Sequence, residues 1–221
     1  MEREERREDC AVEAGRQAMI HHPVKQGTPE WLTIRAGIPT ASCFDQILTP
    51  GGKISTSAKR YMHTLLAERI MGHPIVDHVS FWMQRGNELE AQAVSYYESM
   101  RELDTEPVGF CTNDAGTIGA SPDRFVGTDG LLEIKVPKEH THVGYLLGEG
   151  LGPDYRAQVQ GQLWVTGRAW SDTLSYHPEM PPALVRVERD EAYIALLAGA
   201  VEEFSRQLEM AAERNGWVRH G

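Results

Sequence analysis

SPDRFVGTDGLLEIKVP, residues 121–137, decides how this chain is read. Thr128-Asp129-Gly130 is a turn sequence between two short strand-like runs. Strand side chains alternate between faces, so Leu132, Ile134 and Val136 point into a core while Leu131, Glu133 and Lys135 point the other way. Charges on such a face are ordinarily solvated, but the flanking residues are strongly apolar and predict a central strand. Asp123 adjoins the preceding strand, where its carboxylate can meet that of Glu133 across the hairpin. Paired carboxylates on a central strand call for a cation to relieve their repulsion. With no histidine or thiolate beside them, the donors suit a hard octahedral ion, Mg²⁺ with Mn²⁺ as substitute, and the Ile134 carbonyl can add a ligand. Lys135 is placed to polarise an attacking water or to neutralise charge developing on a phosphorane. Together these are the parts needed for phosphodiester hydrolysis.

Outward from this hairpin, helical and strand periods alternate along the chain. Thr28-Pro29-Glu30 starts a short helix that ends near Gly37. Thr40-Ala41-Ser42 opens another, with Ala41, Phe44 and Leu48 on one face and Pro50-Gly51-Gly52 as its break. Ser57 to Met71 is a third, with Tyr61, Leu65 and Ile70 inward. Residues 87–100 form a fourth, capped by Asn87 and striped by Leu89, Ala93, Val94 and Tyr97. Glu90 borders that stripe and is a further candidate metal ligand; its plain alternative is a solvated helix glutamate. Segments 107–112, 117–126 and 131–137 are strands, 154–165 is a helix, and 169–177 and 183–188 are strands. A last helix from about Asp190 carries Ile194, Leu197, Val201, Phe204 and Leu208 as an apolar stripe. The order predicts an α/β (α+β) fold with a central mixed β-sheet flanked by helices.

Composition bounds the rest. The 221 residues are 41% hydrophobic and 24% charged, ordinary for a soluble globular chain long enough to bury a sizeable core. No apolar run is long enough for a membrane span. The charged start MEREERREDC has no apolar core of a secretory signal. Cys10, Cys43 and Cys111 form neither a disulfide framework nor a zinc spacing, which suits the cytoplasm. A net charge of −10 argues against indiscriminate nucleic-acid binding, yet residues 35–60 carry Arg35, Lys53, Lys59 and Arg60 against only Asp45. Trp82, Trp164 and Trp170 offer surfaces for stacking on bases but are more simply core. His21-His22 and His140-Thr141-His142 lack partners at zinc spacing.

Seven stretches, in order, resemble phage lambda exonuclease and its relatives, the YqaJ-type viral recombinase branch of the PD-(D/E)XK nucleases. They are WLTIRAGIPTAS (31–42), YMHTLLAERIMG (61–72), RGNELEAQA (85–93), the SPD…LLEIKVP segment, YRAQVQGQLWVTG (155–167), YHPEM (176–180) and VERDEAY (187–193). The resemblance implies a PD-(D/E)XK restriction-endonuclease-like core in residues 21–221, a single nuclease domain behind a charged extension over 1–20. It implies a 5′→3′ exonuclease that digests one strand of linear duplex DNA with Mg²⁺, works as a ring-shaped homotrimer and acts beside a single-strand annealing protein. Asp123 and Glu133 match the family's metal-binding acids, Lys135 its catalytic lysine and Glu90 its acidic helix residue. Gln158 and Gln160 fall in the helix where a glutamine lies against the active site. Arg35 matches the arginine that holds the 5′-phosphate, and Ser42 a polar group of the same pocket. Pro39 departs from the family, which more typically has a branched aliphatic there.

A phosphate grip at Arg35 also follows from chemistry. Free N–H groups and hydroxyls where Thr40-Ala41-Ser42 opens a helix attract an anion, and a guanidinium adds a bidentate hold. The expected enzyme anchors a 5′-phosphate at Arg35, Thr40 and Ser42. It holds two metals with Glu90, Asp123, Glu133 and the Ile134 carbonyl. Two rivals remain: an endonuclease on the same core, and a non-catalytic recombination module that binds DNA or an annealing protein.

Overall fold

The structure is a computed structural model that describes residues 19–75, 81–150 and 152–217, the side chains of 81–87 and 154 excepted. The expectations for residues 1–16, for Cys10 and for the Trp82 ring lie outside the described residues.

The hairpin builds the centre of the fold. Strands β5 (Arg124–Val126) and β6 (Gly130–Lys135) pair antiparallel, with Arg124 opposite Leu132. Strand β6 then pairs in parallel with β7 (Trp170–Ser175), setting Glu133 beside Thr173 and Lys135 beside Ser175. With β2 (Thr105–Pro107) on one edge and β8 (Ala183–Glu188) on the other, the order is β2-β5-β6-β7-β8, a five-stranded mixed sheet. The parallel pair needs a crossover, and residues between β6 and β7 supply it as helices α4 (Glu139–Leu146) and α5 (Arg156–Thr166). A smaller sheet joins β1 (Met19–His22), β3 (Phe110–Asn113) and β4 (Gly119–Ala120).

Helices cover both faces of the main sheet. On one, helix α3 (Phe81–Arg101) sets Ala93 and Tyr97 against Val126, Leu132 and Leu174. On the other, Phe125 and Leu131 share a larger core with α5, with α2 (Ala58–Met71) and with α6 (Glu191–Asn215). Each fully buried leucine or phenylalanine there contributes roughly 1.5–3 kcal/mol. The α6 stripe Ile194, Leu197, Val201, Phe204 and Leu208 is buried inside this core, so it packs within the chain.

Several local expectations are corrected. Helix α3 starts at Phe81, so Asn87 is interior and not a cap. Segment 117–126 divides between two sheets, β4 in one and β5 in the other. Strand β1 and helix α4 were not foreseen. Residues Ala41–Gln46 form a 3-10 helix, and Ile70 is exposed instead of inward. That 3-10 segment lies directly on α5 because residue 161 is glycine: a Cβ there would sit 2.5 Å from the Phe44 ring.

A buried ion cluster ties α3 to the sheet. Asp172, fully buried on β7, accepts hydrogen bonds from the Tyr97 hydroxyl (2.8 Å), Arg101 (2.9 Å) and both Nε and Nη2 of Arg186 (2.7 and 2.9 Å). Burial alone would raise the Asp172 pKa, but the bonds from Arg186, Tyr97 and Arg101 outweigh it and hold it below the ordinary value. A depressed folded pKa adds stability above the unfolded pKa that is lost as pH falls through the folded one. Asp172→Asn should therefore cost about 1–3 kcal/mol in urea denaturation at neutral pH. The difference from the native chain should shrink below about pH 4.

Candidate active site

Glu133 is 4% exposed, on the face of β6 covered by α5. The sheet is central and covered on both sides, so this glutamate is desolvated and must be paired. Lys135 Nζ donates to its Oε1 at 2.7 Å, and Gln158 Nε2 donates to the same oxygen at 2.6 Å. Gln162 Nε2 donates to Oε2 at 2.7 Å. Gln158 and Gln162 lie one turn apart on α5 and reach the same carboxylate, as four-residue spacing requires. Gln160 points elsewhere: its Nε2 donates to the Glu188 carbonyl (2.9 Å) and its Oε1 accepts from the Asp190 N–H (2.9 Å). The expectation for Gln160 is thus corrected to a brace between α5 and the start of α6. Gln162, absent from the expected set, was findable as the residue one turn beyond Gln158.

Asp123 precedes β5 and turns its Oδ2 to the Ile134 N–H at 2.6 Å. Burial first, then the Glu133 charge, raise its pKa well above the carboxylate range; the Ile134 bond and Lys135 oppose this, and Glu90 adds to it. Glu90 is exposed on α3. Desolvation by the surrounding protein raises its pKa, Arg124 opposes, and Glu133 raises it again. The three carboxylates therefore feel one another's charge. Burial would lower the Lys135 pKa, but Glu133, hydrogen bonded to it, and Asp123 carry it above the ordinary lysine value. The ammonium also sits 5.0 Å from the centre of the Tyr155 ring.

This oxygen-only donor set fits a hard divalent ion. Asp123, Glu133 and Glu90 repel one another electrostatically, which a cation would relieve. Among the described residues, no three His, Cys, Asp or Glu side chains already converge on one point. In this arrangement Glu133 is turned to its amides and to Lys135. His140 and His142 lie in different surroundings. His142 is fully buried, bonded to Ser175 Oγ (2.7 Å) and the Pro181 carbonyl (2.9 Å), whereas His140 is exposed.

A cavity of about 170 Å³, lined by Gln26, Trp31, Arg35, Thr40, Ser42, Ser121 and Gln162, is linked to Glu133 through Gln162. Arg35 closes helix α1 (Pro29–Arg35) and lies over the Trp31 ring at 4.1 Å, with Nη2 3.4 Å from Thr40 Oγ1. The Trp31 indole N–H is shared between the Gly109 carbonyl and Ser121 Oγ, both at 3.1 Å. Burial lowers the Arg35 pKa, and among the described residues no carboxylate forms an ion pair with it. A desolvated guanidinium among hydroxyls favours an anion. Arg35, Thr40 and Ser42 thus share one cavity. The helix-terminus part of the expectation is corrected: a six-residue 3-10 helix aligns too few peptide dipoles to matter beside a guanidinium.

The cavity wall is held at Gly37. Its φ of 71° suits glycine, and a Cβ there would meet Arg69 Cγ at 2.6 Å. The Gly37 N–H donates to Glu68 (2.7 Å), Arg69 Nε donates to the Gly37 carbonyl (2.8 Å), and Arg69 also grips Glu209 of α6 (2.8 Å). The loop between Arg35 and Thr40 is fastened to two helices through these bonds. Thr40 is further fixed by its N–H to the Tyr61 hydroxyl at 3.2 Å.

Comparison with known proteins sets the site in context. Residues 30–169 match the family model for a YqaJ-like viral recombinase domain. A solved alkaline exonuclease from Laribacter hongkongensis, LHK-Exo, is 33% identical with a TM-score of 0.76, covering 86% of this chain and 96% of its own. LHK-Exo in complex with dAMP is 34% identical at TM-score 0.75, with 85% and 95% covered. A phage-related exonuclease from Haemophilus somnus 129PT shares the fold at 15% identity and TM-score 0.64, over 80% of this chain and 96% of its own. No curated protein matches.

The raised Asp123 pKa has a measurable consequence. Protonated Asp123 favours the fold below its unfolded pKa of about 4, and that advantage is lost as pH rises toward the folded value. Asp123→Asn stays neutral and retains an oxygen for the Ile134 N–H. In chelator, its stability relative to the native chain should climb as pH rises from about 4. A pH-independent difference in urea denaturation would show that Asp123 is not strained by its neighbours.

Proposed function

The chain belongs to the YqaJ-like viral recombinase domain family, and from that premise we propose that it is a 5′→3′ exonuclease degrading one strand of linear duplex DNA. An exonuclease associated with recombination is what the family and the LHK-Exo likeness support. Polarity, strand choice and metal dependence are our reading. One observation carries it: Gln162 both bonds Glu133 and lines the Arg35 cavity, so an anion held there lies beside the carboxylates. An enzyme that starts from DNA ends needs that adjacency, a grip on a terminal phosphate next to the place where a phosphodiester is cut.

In this mechanism Arg35, Thr40 and Ser42 hold the 5′-phosphate, with Ser121 completing the wall. Asp123, Glu133, Glu90 and the Ile134 carbonyl would hold Mg²⁺, two ions per site, with Mn²⁺ able to substitute. Bound there, the metal supplies Lewis-acid charge that lowers the pKa of a water and stabilises developing negative charge. Lys135 places a fixed ammonium at the carboxylates, able to orient a nucleophilic water and to neutralise charge at the scissile phosphate. Gln158 is within 3.4 Å of Lys135 and holds Glu133 in register with it. We further propose action in the cytoplasm as a ring homotrimer beside a single-strand annealing protein; family membership is the support for these. Among the described residues, no helix is long and apolar enough to cross a membrane.

End-labelled linear duplex should be shortened from its 5′ ends in Mg²⁺ and spared in chelator, while covalently closed circles survive. Cutting of circles would favour the endonuclease rival, and no metal-dependent loss of linear DNA would favour the non-catalytic module. Lys135→Ala should lower cleavage at least about 100-fold with DNA binding retained. Arg35→Ala should slow initiation on 5′-phosphorylated ends and abolish their advantage over 5′-hydroxyl ends.

A further inference from the structure

Gln162 is 1% exposed, and its side chain serves two places at once. Its amide nitrogen donates to Glu133 Oε2 at 2.7 Å, and its carbonyl oxygen is buried with no hydrogen-bond partner. The residue also lines the cavity of Arg35, Thr40 and Ser42. A buried acceptor left without a donor costs about 1–3 kcal/mol. The polar groups that this cavity offers are Arg35, Thr40, Ser42 and Ser121, since the N–H groups of Trp31 and Gln26 are bonded to Gly109, Ser121, Val108 and Pro122. A carbonyl oxygen is the wrong group to offer a phosphate, whereas the NH₂ of the same amide is the right one. The orientation that suits Glu133 is thus opposed to the one that suits an anion.

We propose that Gln162 is a positioning residue that couples the two subsites, its amide turned to Glu133 when both are empty and turned over to the anion when a cation takes Glu133. The inference rests on the reading of the Arg35 cavity as a phosphate site and of the acidic cluster as a divalent-cation site. Terminal amide torsions are soft and roughly two-fold, so the turn needs no backbone movement. With Glu133 neutralised by a cation, the carboxylate no longer needs the amide N–H and tolerates the carbonyl. The NH₂ group then turns to the cavity, and the carbonyl oxygen turns to the cation's side, where an amide oxygen suits a hard ion. Because coupling free energy is reciprocal, cation should tighten phosphate binding, and phosphate should tighten cation binding by the same factor. The enzyme would thereby assemble its full charge complement only when a DNA end is seated.

Calorimetric titration of the full chain with inorganic phosphate, with and without Mg²⁺, tests this. Native protein should bind phosphate roughly five-fold or more tightly in Mg²⁺. Gln162→Met removes the amide while keeping its length; it should bind each ligand singly with the ratio reduced to about one. Gln162→Asn, whose amide is too short to serve both places, should show the same loss and stands in if the methionine variant fails to fold. Retention of the native ratio in a folded variant would overturn the proposal, since through-space attraction between cation and phosphate would then suffice. Arg35→Ala separates the layers. Loss of phosphate binding in that variant supports the cavity assignment on which the coupling is measured. Unchanged phosphate affinity overturns the cavity assignment, and the coupling with it.

Discussion

A carboxylate inside a protein must be answered by donors, and at Glu133 the answer organises the molecule. Three donors converge on it, two amides from α5 and the ammonium of Lys135 from its own strand. For α5 to lie that close to β6, the crossover must lay the helix across the sheet. Gly161 lets the 3-10 segment after Thr40 press against the other side of α5. One buried charge therefore links the central strand, the crossover helix and the wall of the Arg35 cavity.

The same economy runs through the rest of the fold. Asp172 sits one strand over and faces the opposite side of the sheet, where Tyr97, Arg101 and Arg186 neutralise it and fasten α3. Its donors suffice, and its pKa falls. Asp123, with the Ile134 N–H but with Glu133 and Glu90 as neighbours, is left short, and its pKa rises. The two aspartates differ in the sign of their electrostatic surroundings. A structural carboxylate is over-supplied with donors. Asp123 is under-supplied, and a carboxylate perturbed in this way is a candidate for a functional site.

Much of this was legible in the chain. The apolar flanks of Glu133 and Lys135 marked a central strand, and the turn at Thr128-Asp129-Gly130 marked the hairpin that brings Asp123 to it. The α6 stripe and the Pro29 start of α1 were plain from periodicity and capping. Other features had no local signal. The split of segment 117–126 between two sheets depends on which partner each half finds. Helix α4 and strand β1 are short, and their placement depends on tertiary contacts. Gln160 and Gln162 are indistinguishable in composition, and only the rotation of α5 against β6 selects the one that reaches Glu133.

By itself the amino-acid order determined the periods, the turns and the company of charges on one strand, because these depend on residues near one another along the chain. It also determined the family, through seven short stretches kept in sequence. Tertiary structure alone decided that the Glu133 face is buried, that Arg35 and Ser121 share a cavity, and that Gln162 both bonds Glu133 and lines that cavity. Those facts join residues far apart in the chain, and a buried charge takes its partners from whatever packing brings within about 3 Å of it.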